Sequence, residues 1–565
     1  MPSSITDTIP AHANGSKPTE DHWNNWPNEK GFDPEYEERT PIELSVTGHI
    51  PAYTAGTLYR TGPGKSQVET EDGQLFKLAH WFDGFSQTHR FQIIASDDVD
   101  ASSTPIRVLY NSRFSTDALI EKVRKEGYMV GFGDKRDPCK EVFNKMQTEY
   151  VLPSHPSERN IGVTLSVNMP GLDLQSDNES AERWSDSKGV RTLYAKTDSH
   201  AYKKLDPETL EPIGLATQTD LHPELVGPMS ASHPRSDPVT GDVFNYNLTL
   251  GPISIYRIFH VSAATGKTSI LATFPGTPAY IHSLSITEDY VLLCVWNSHI
   301  NIQHIKTGSF KDTIMPTDPS QPATWYVVDR KHERGLMATY ESPAFFCFHT
   351  INAFQEQSKE DPTKIDIVAD LVRIDTSNFL DLVLYKNMKS SLATAKDFAK
   401  NRSDEMRTSF AQFRLPALPS DPSSEILKAS LEWSSGKAFS PELPTMNPSF
   451  VTKKHRYSYA VTFRGESTMT DGIVKFDSET QEVSLWAHHG HSPGEPIFVA
   501  NPTGVDEDDG VLLSVVLDGF QEHSYLLCLD ARNLTELGRA NMKGAVGFGF
   551  HGQHVSTVGT ATGDY

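Results

Sequence analysis

Apolar residues along this chain gather in short runs of β-branched and aromatic side chains, with polar turn residues between them. "THRFQIIA" (88–95), "YVLLCVWN" (290–297), "GVLLSVVLDG" (510–519) and "YLLCLDARNL" (525–534) are too short for a helical stripe and rich in strand formers. Several runs pair across an Asp-led turn: "KKLDPETLEPIG" around Asp206, "VKFDSETQEVSLW" around Asp477 and "LCLDARNLTELGRA" around Asp530. Looser copies stand at "YRIFHVSAATGKTSILATF" and "WYVVDRKHERGLMATY". The short Asp side chain bonds backbone N–H groups two or three residues on, which is what a tight hairpin needs. Recurrent hairpins with irregular insertions predict an all-β chain. A β-propeller suits them better than a sandwich, because radial repetition places many sheets in one domain.

Two segments read as helices. "TDALIEKVRKEG" offers Thr116 or Asp117 as a cap and Gly127 as a stop. "SNFLDLVLYKNMKSSLATAKDF" sets Leu380, Val383, Leu384, Met388 and Leu392 at helical spacing, a stripe that serves equally to pack on the protein's own core or to dip into lipid. The polar, Pro-rich start predicts a flexible lead-in over residues 1–35, followed by a single domain over 36–565.

Composition narrows the function classes. A net charge of -22 over 565 residues argues against a nucleic-acid partner. Cys139, Cys294, Cys347 and Cys528 are widely spaced, so neither a zinc ribbon nor a disulfide framework is expected. The N-terminus lacks the basic and apolar regions of a secretory signal, and no run approaches ~18 apolar residues. The expected location is cytoplasmic, with peripheral contact to a membrane surface as the variant of that reading.

Common catalytic motifs fail on context. "GHSPG" matches G-x-S-x-G, but Ser492 precedes Pro493 and a strand-like run, where a nucleophile elbow needs a helix. "GFGFHG" (547–552) matches G-x-G-x-x-G, yet the chain ends before the βαβ unit that such a loop opens. "HHGH" (488–491) reads as a solvated turn. What remains are four histidines in apolar or small-residue settings: His233 in "SASHPRSDPVTG", His282 in "PAYIHSLS", His349 in "FFCFHTINAF" and His551 in "GFGFHGQHV". Any one of them alone is more often a buried core histidine. Their separations of 49, 67 and 202 residues exclude a helix-borne metal motif, but suit a propeller that aims one side chain per blade at its axis.

On "GTLYRTGPGKSQVE", "HWFDGFSQTHRFQI", "SHPRSDPVTGDVFNYN", "YIHSLSITEDY", "FHTINAF", "SPGEPIFVANP", "EDDGVLLSVVLDG" and "GFHG", over residues 40 to 560, the chain resembles the carotenoid cleavage oxygenase family. The segment 108–146 is similar to its fungal, torulene dioxygenase-like members. The resemblance implies a seven-bladed propeller under a helical and loop cap. It implies an axial Fe(2+) on His233, His282, His349 and His551, with Asp198, Glu442 and Glu495 orienting the ligand rings. Asp198 stands where many members carry Glu, and its shorter reach predicts a water bridge or a shifted strand. "HWFDG" (80–84) reads as a structural signature without a catalytic role. Phe346, Phe348, Phe548 and Phe550 flank ligands, where they serve an apolar channel or ordinary core packing equally well.

The implied reaction is cleavage of a conjugated carbon–carbon double bond of an apolar polyene by O2, giving two carbonyl products. The alternative within the family is a stilbene-cleaving dioxygenase. Its phenol-gripping Tyr is not found near Phe114 or Arg113, and a buried phenol without a partner is costly, so a carotenoid or apocarotenoid is the expected substrate. A non-catalytic propeller that binds a ligand or partner is the alternative of another class. The oligomeric state is left open.

Overall fold

The Asp-led turns are the units from which the sheets are built. After strand Ala201–Leu205, Asp206 Oδ1 accepts the N–H groups of Glu208 at 2.9 Å and Thr209 at 2.8 Å, and Leu210 N–H returns to the Asp206 carbonyl at 2.8 Å. Asp477 receives Glu479 and Thr480 in the same way, and Asp530 receives Arg532 and Asn533. The fifth residue of each turn is left-handed: Leu210 at φ 63°, Gln481 at φ 60° and Leu534 at φ 59°. That conformation costs about 1–2 kcal/mol in a non-glycine residue, and the three local hydrogen bonds, at about 0.5–1.5 kcal/mol each, offset it. "SDPVTGD" folds identically around Asp237, with Gly241 supplying the left-handed position at φ 75°.

The computed structural model describes residues 25–95, 106–129, 131–133, 155–172, 189–306, 309–557 and 564. Cys139 and the first 24 residues of the expected lead-in lie outside them. The packed chain begins before the expected boundary at residue 35, because Trp26, Asn28 and Phe32 are buried. Asn28 bonds the Met388 carbonyl and Thr468 Oγ1, and Trp26 Nε1 donates to Ser492 Oγ, which places Ser492 in packing and in no nucleophile elbow.

Antiparallel sheets make up an all-β propeller. Five stand apart, beginning with strands Thr164–Val167, Arg235–Ser236, Ser285–Ile286, Phe346–Gln357 and Pro441–Thr445. Their middle strands are covered on both faces, while outer strands such as Thr268–Pro275 and Ser430–Ser434 are partly exposed. The run Tyr290–Val295 is therefore buried at every position and reads as continuously apolar. Seven separate blades are not found among the described residues. Apart from a small hairpin of Gln67–Glu69 with Leu75–Lys77, the remaining strands form one ten-stranded sheet, in which Ile42–Gly48 pairs on one edge with Glu536–Asn541 and on the other with Arg107–Phe114.

Helices are few. Asp117–Glu126 forms as its sequence predicts, stopped by left-handed Gly127, whose N–H reaches the Val123 carbonyl at 2.8 Å. The second predicted helix is broken into Ser377–Asp381, Tyr385–Met388 and Ala393–Asn401. Its backbone is diverted to partners elsewhere: the Val383 carbonyl accepts Trp81 N–H at 2.9 Å, and Tyr385 N–H goes to the Ala79 carbonyl at 3.0 Å. Leu380, Val383 and Met388 are buried while Leu392 is exposed, so most of the stripe packs inward. No described helix is long and apolar enough to cross a membrane.

Candidate metal centre

The four histidines leave different sheets and meet. His233 precedes strand Arg235–Ser236, His282 precedes Ser285–Ile286, His349 lies within Phe346–Gln357, and His551 opens the final strand His551–Ser556. One ring nitrogen from each lies within 4.8 Å of all the others. His233 Nε2 and His551 Nε2 are 3.1 Å apart, and His349 Nε2 is 3.3 Å from His551 Nε2. Metal–nitrogen bonds of about 2.0–2.1 Å place donor atoms roughly 3–4 Å apart around one ion, so the donor set fits a metal.

Three carboxylates fix three rings. Glu442 Oε2 meets His349 Nδ1 at 2.5 Å, Glu495 Oε1 meets His551 Nδ1 at 2.7 Å, and Asp198 meets His282 Nδ1 at 2.8 and 2.9 Å. An Nδ1–H given to a carboxylate leaves the Nε2 lone pair facing the centre. The contact from Asp198 is direct and no water bridge is required. The loop between Leu193–Lys196 and Ala201–Leu205 carries the shorter side chain close enough. Tyr280 Oη donates to Asp198 at 2.6 Å, and Ser232 donates both its hydroxyl at 2.7 Å and its N–H at 3.1 Å. Glu495 Oε2 also accepts Gly552 N–H at 2.8 Å, and Glu442 Oε2 accepts Leu443 N–H at 2.8 Å.

Electrostatics keep the site ready for a cation. Burial, reinforced by the other three histidines, pushes His233 well below the ordinary imidazole value, and burial reinforced by His282 and Arg60 does the same to His551; burial lowers His349 to about 4 against the opposing pull of Glu442. Burial alone would raise Asp198, but His282, Tyr280 and Ser232 together hold it below the usual carboxylate range. Burial raises Glu495 to about 7. Neutral imidazoles converging lone pairs, with acids behind them, favour a positive ion between them.

Two residues escaped the sequence reading. Arg60, buried in strand Gly56–Lys65, donates to the carbonyls of Glu495 at 3.1 Å and Phe548 at 3.4 Å, tying together the two segments that carry Glu495 and His551. An arginine inside the apolar "LYRTG" was its signal. Tyr280 stands two residues before His282, the spacing that puts two side chains on one face of an extended segment. The glycines of "GFGFHG" are required by approach: a Cβ on Gly547 would lie 2.3 Å from the Pro63 carbonyl oxygen, and one on Gly62 would lie 2.2 Å from Phe550 N.

A cavity of about 680 Å³ reaches three of the four histidines, His282, His349 and His551. Phe82, Phe132, Phe310, Phe348, Phe379 and Phe550 line it. Of the four phenylalanines beside ligands, Phe348 and Phe550 face this cavity. Phe346 and Phe548, each two positions from one of them, are absent from its wall, and Phe548 packs instead on Phe32 at 4.8 Å. Phe114 is not in the wall either: its ring lies under Lys65 Nζ at 4.7 Å, while Arg113 pairs with Glu211. The missing tyrosine at that position therefore says nothing about the substrate.

Fold and site define a class: an all-β propeller with a four-histidine centre bordering an apolar cavity. The family profile described as retinal pigment epithelial membrane protein (RPE65) matches residues 31–556. The chain belongs to that RPE65/carotenoid oxygenase family. It is 39% identical to a carotenoid dioxygenase of Neurospora crassa, over 96% of this chain and 93% of that protein. It is 40% identical to a torulene dioxygenase of Gibberella fujikuroi, over 94% of each. Among solved structures, a variant of the Synechocystis apocarotenoid oxygenase matches its fold with a TM-score of 0.69 at 23% identity, covering 95% of this chain and 99% of that one.

Proposed function

We propose that the chain is a non-haem iron(II) dioxygenase that cleaves a conjugated double bond of a carotenoid or apocarotenoid with O2. The carrying observation is the meeting of four imidazoles, three of them disfavoured from taking a proton, beside an apolar cavity. His233, His282, His349 and His551 would hold Fe(2+), and Asp198, Glu442 and Glu495 would keep the rings aimed. Iron(II), when bound, supplies the activation of O2. The polypeptide's part is to exclude water and to lay one double bond beside the histidines; Phe348 and Phe550 form that inner wall. The balance closes without a reductant: the C=C and O–O bonds break, and each carbon leaves as a carbonyl carrying one oxygen atom.

The names of the fungal relatives support a polyene substrate, and no observation favours a stilbene or a non-catalytic role. We read the ten-stranded sheet as two blades sharing Ile42–Gly48, which with the five separate sheets gives seven blades in a single domain extending to residue 565. A cavity this apolar suits a substrate drawn from lipid, which supports peripheral contact with a membrane. The test is iron analysis of protein purified without chelator, followed by oxygen uptake and product identification with carotenoids, apocarotenals and hydroxylated stilbenes. Iron near one per chain and paired carbonyl products from a polyene are expected. Protein that is iron-loaded but inert toward every polyene would overturn the reading, and preference for the stilbene would replace it.

A further inference from the structure

The motif "HWFDG" has no task in the reading above, yet separate segments converge on it. Its 3-10 turn Trp81–Asp83 is held by the rest of the chain: His80 Nε2 meets the Leu380 carbonyl at 3.2 Å, and Asn160 Nδ2 bonds the carbonyls of Asp83 and Gly84, both at 2.9 Å. The Asp83 carboxylate accepts the backbone N–H of Phe132 and, at 2.8 Å, that of Gly133. The Phe132 carbonyl in turn accepts Lys311 N–H at 2.8 Å, from the short helix Phe310–Thr313. Phe132 is thus clamped through both its backbone groups. Its ring lies 5.1 Å from Phe82, 5.3 Å from Phe310 and 5.8 Å from Tyr280, and all four side chains line the cavity.

The fit around the clamp is close. A Cβ on Gly131 would lie 2.4 Å from Asp83 Oδ1, and one on Gly133 would lie 2.3 Å from the His80 Cβ, so glycines flank Phe132 where the segment meets the turn. Phe82 connects the turn to the centre, 5.8 Å from Phe348, whose ring is 5.8 Å from His282.

We propose that Asp83 is a positioning residue: by holding the Phe132 ring as a cavity wall, it sets which double bond of an extended polyene lies at the histidines. The inference rests on the polyene-cleavage reading. Neighbouring double bonds of a conjugated chain are chemically alike, so the walls must discriminate between them, and displacement of a bound substrate by about 1 Å costs on the order of 100-fold in rate. Asp83 offers two oxygens to two N–H groups. Asp83→Asn keeps one acceptor and turns an NH2 toward the other donor, which releases one side of the clamp.

The experiment compares Asp83→Asn, Phe132→Ala and wild type, all iron-loaded, by separating and weighing the carbonyl products of one apocarotenal. Wild type is expected to give a single product pair. Each variant is expected to add a second pair from an adjacent bond, with kcat/KM lowered by roughly 10–100-fold and iron content unchanged. A single, unchanged product pair from both variants overturns the proposal. If Asp83→Asn fails to fold, Phe132→Ala and Phe132→Leu carry the same test. Titration of metal-free protein with the apocarotenal, followed by tryptophan quenching, separates this inference from the cleavage reading. Weaker binding by Phe132→Ala supports the wall even in a chain that proves inactive, and equal binding with inactive wild type overturns both.

Discussion

Asp198→Asn is the most informative single change at the centre, because it alters charge while keeping shape. The carboxylate receives the His282 ring at 2.8 and 2.9 Å, the Tyr280 hydroxyl at 2.6 Å, and the Ser232 hydroxyl and N–H at 2.7 and 3.1 Å. An amide keeps one oxygen, best spent on His282 and Ser232, and its NH2 can face Tyr280, whose hydroxyl turns to accept. The donors to the remaining oxygen then exchange a charged acceptor, at about 1.5–3 kcal/mol, for a neutral one at about 0.5–1.5 kcal/mol. The loss at His282 is about 1–1.5 kcal/mol, and with a share from Ser232 it corresponds to roughly 10–100-fold, the range expected for a residue that orients a metal ligand. Iron retained after dialysis against a weak chelator, together with kcat/KM on a polyene, measures it. Asp198→Glu, which must fit one more methylene, is expected to lose about 1–3 kcal/mol of stability through overpacking. If Asp198→Asn keeps iron and kcat/KM within about twofold of wild type, the hydrogen bond to His282 does not tune the site.

Three further outcomes follow from other places in the fold. Gly62→Ala should lower both iron content and Tm, since its Cβ would collide with the backbone of Gly549 and Phe550 just before His551; normal iron loading would contradict this. Removing iron with a chelator should lower Tm, and restoring Fe(2+) should raise it with the logarithm of the free metal concentration once that exceeds Kd, because an ion that binds only the folded ring stabilises by mass action; an unchanged Tm would mean that the histidines pack as firmly without the ion. Burial raises Asp370 to about 7 against a hydrogen bond from Gln412. A folded value above the unfolded one gives a contribution that is complete below about pH 3.9 and lost as pH rises through about 7. Asp370→Asn should therefore be nearly neutral below about pH 4, raise Tm increasingly between about pH 4 and pH 7 and keep that gain above it, and a pH-independent difference would refute the assignment.

What could be read in the sequence was what sequence neighbours decide. The hairpins at Asp206, Asp477 and Asp530 are closed by bonds within six residues, so their residue types announce them. The histidines could be singled out because their surroundings are apolar, and their carboxylate partners only through resemblance, since each pair is separated by more than fifty residues. The helix predicted over 377–398 failed because its apolar spacing is real while its backbone groups are taken by "AHW" at 79–81, a partner hidden from any local window. Which phenylalanines face the cavity was not legible: residues two apart on an extended chain share a face, so alternation groups Phe346 with Phe348 and Phe548 with Phe550, whereas only Phe348 and Phe550 line the cavity. The register around Phe114 could not be placed either, and the inference drawn from it fell.

Strand His551–Ser556 pairs with Gly56–Lys65, and Ile42–Gly48 pairs with Glu536–Asn541, so the early and late parts of the chain are stitched together twice, and the later stitch carries the fourth histidine. During synthesis, a nascent chain that has not yet emerged past residue 551 can neither shut the circle nor present a complete set of ligands. Capture of an ion by all four histidines would thus follow translation of this last strand, and any metal that the protein retains would count the molecules whose circle has closed.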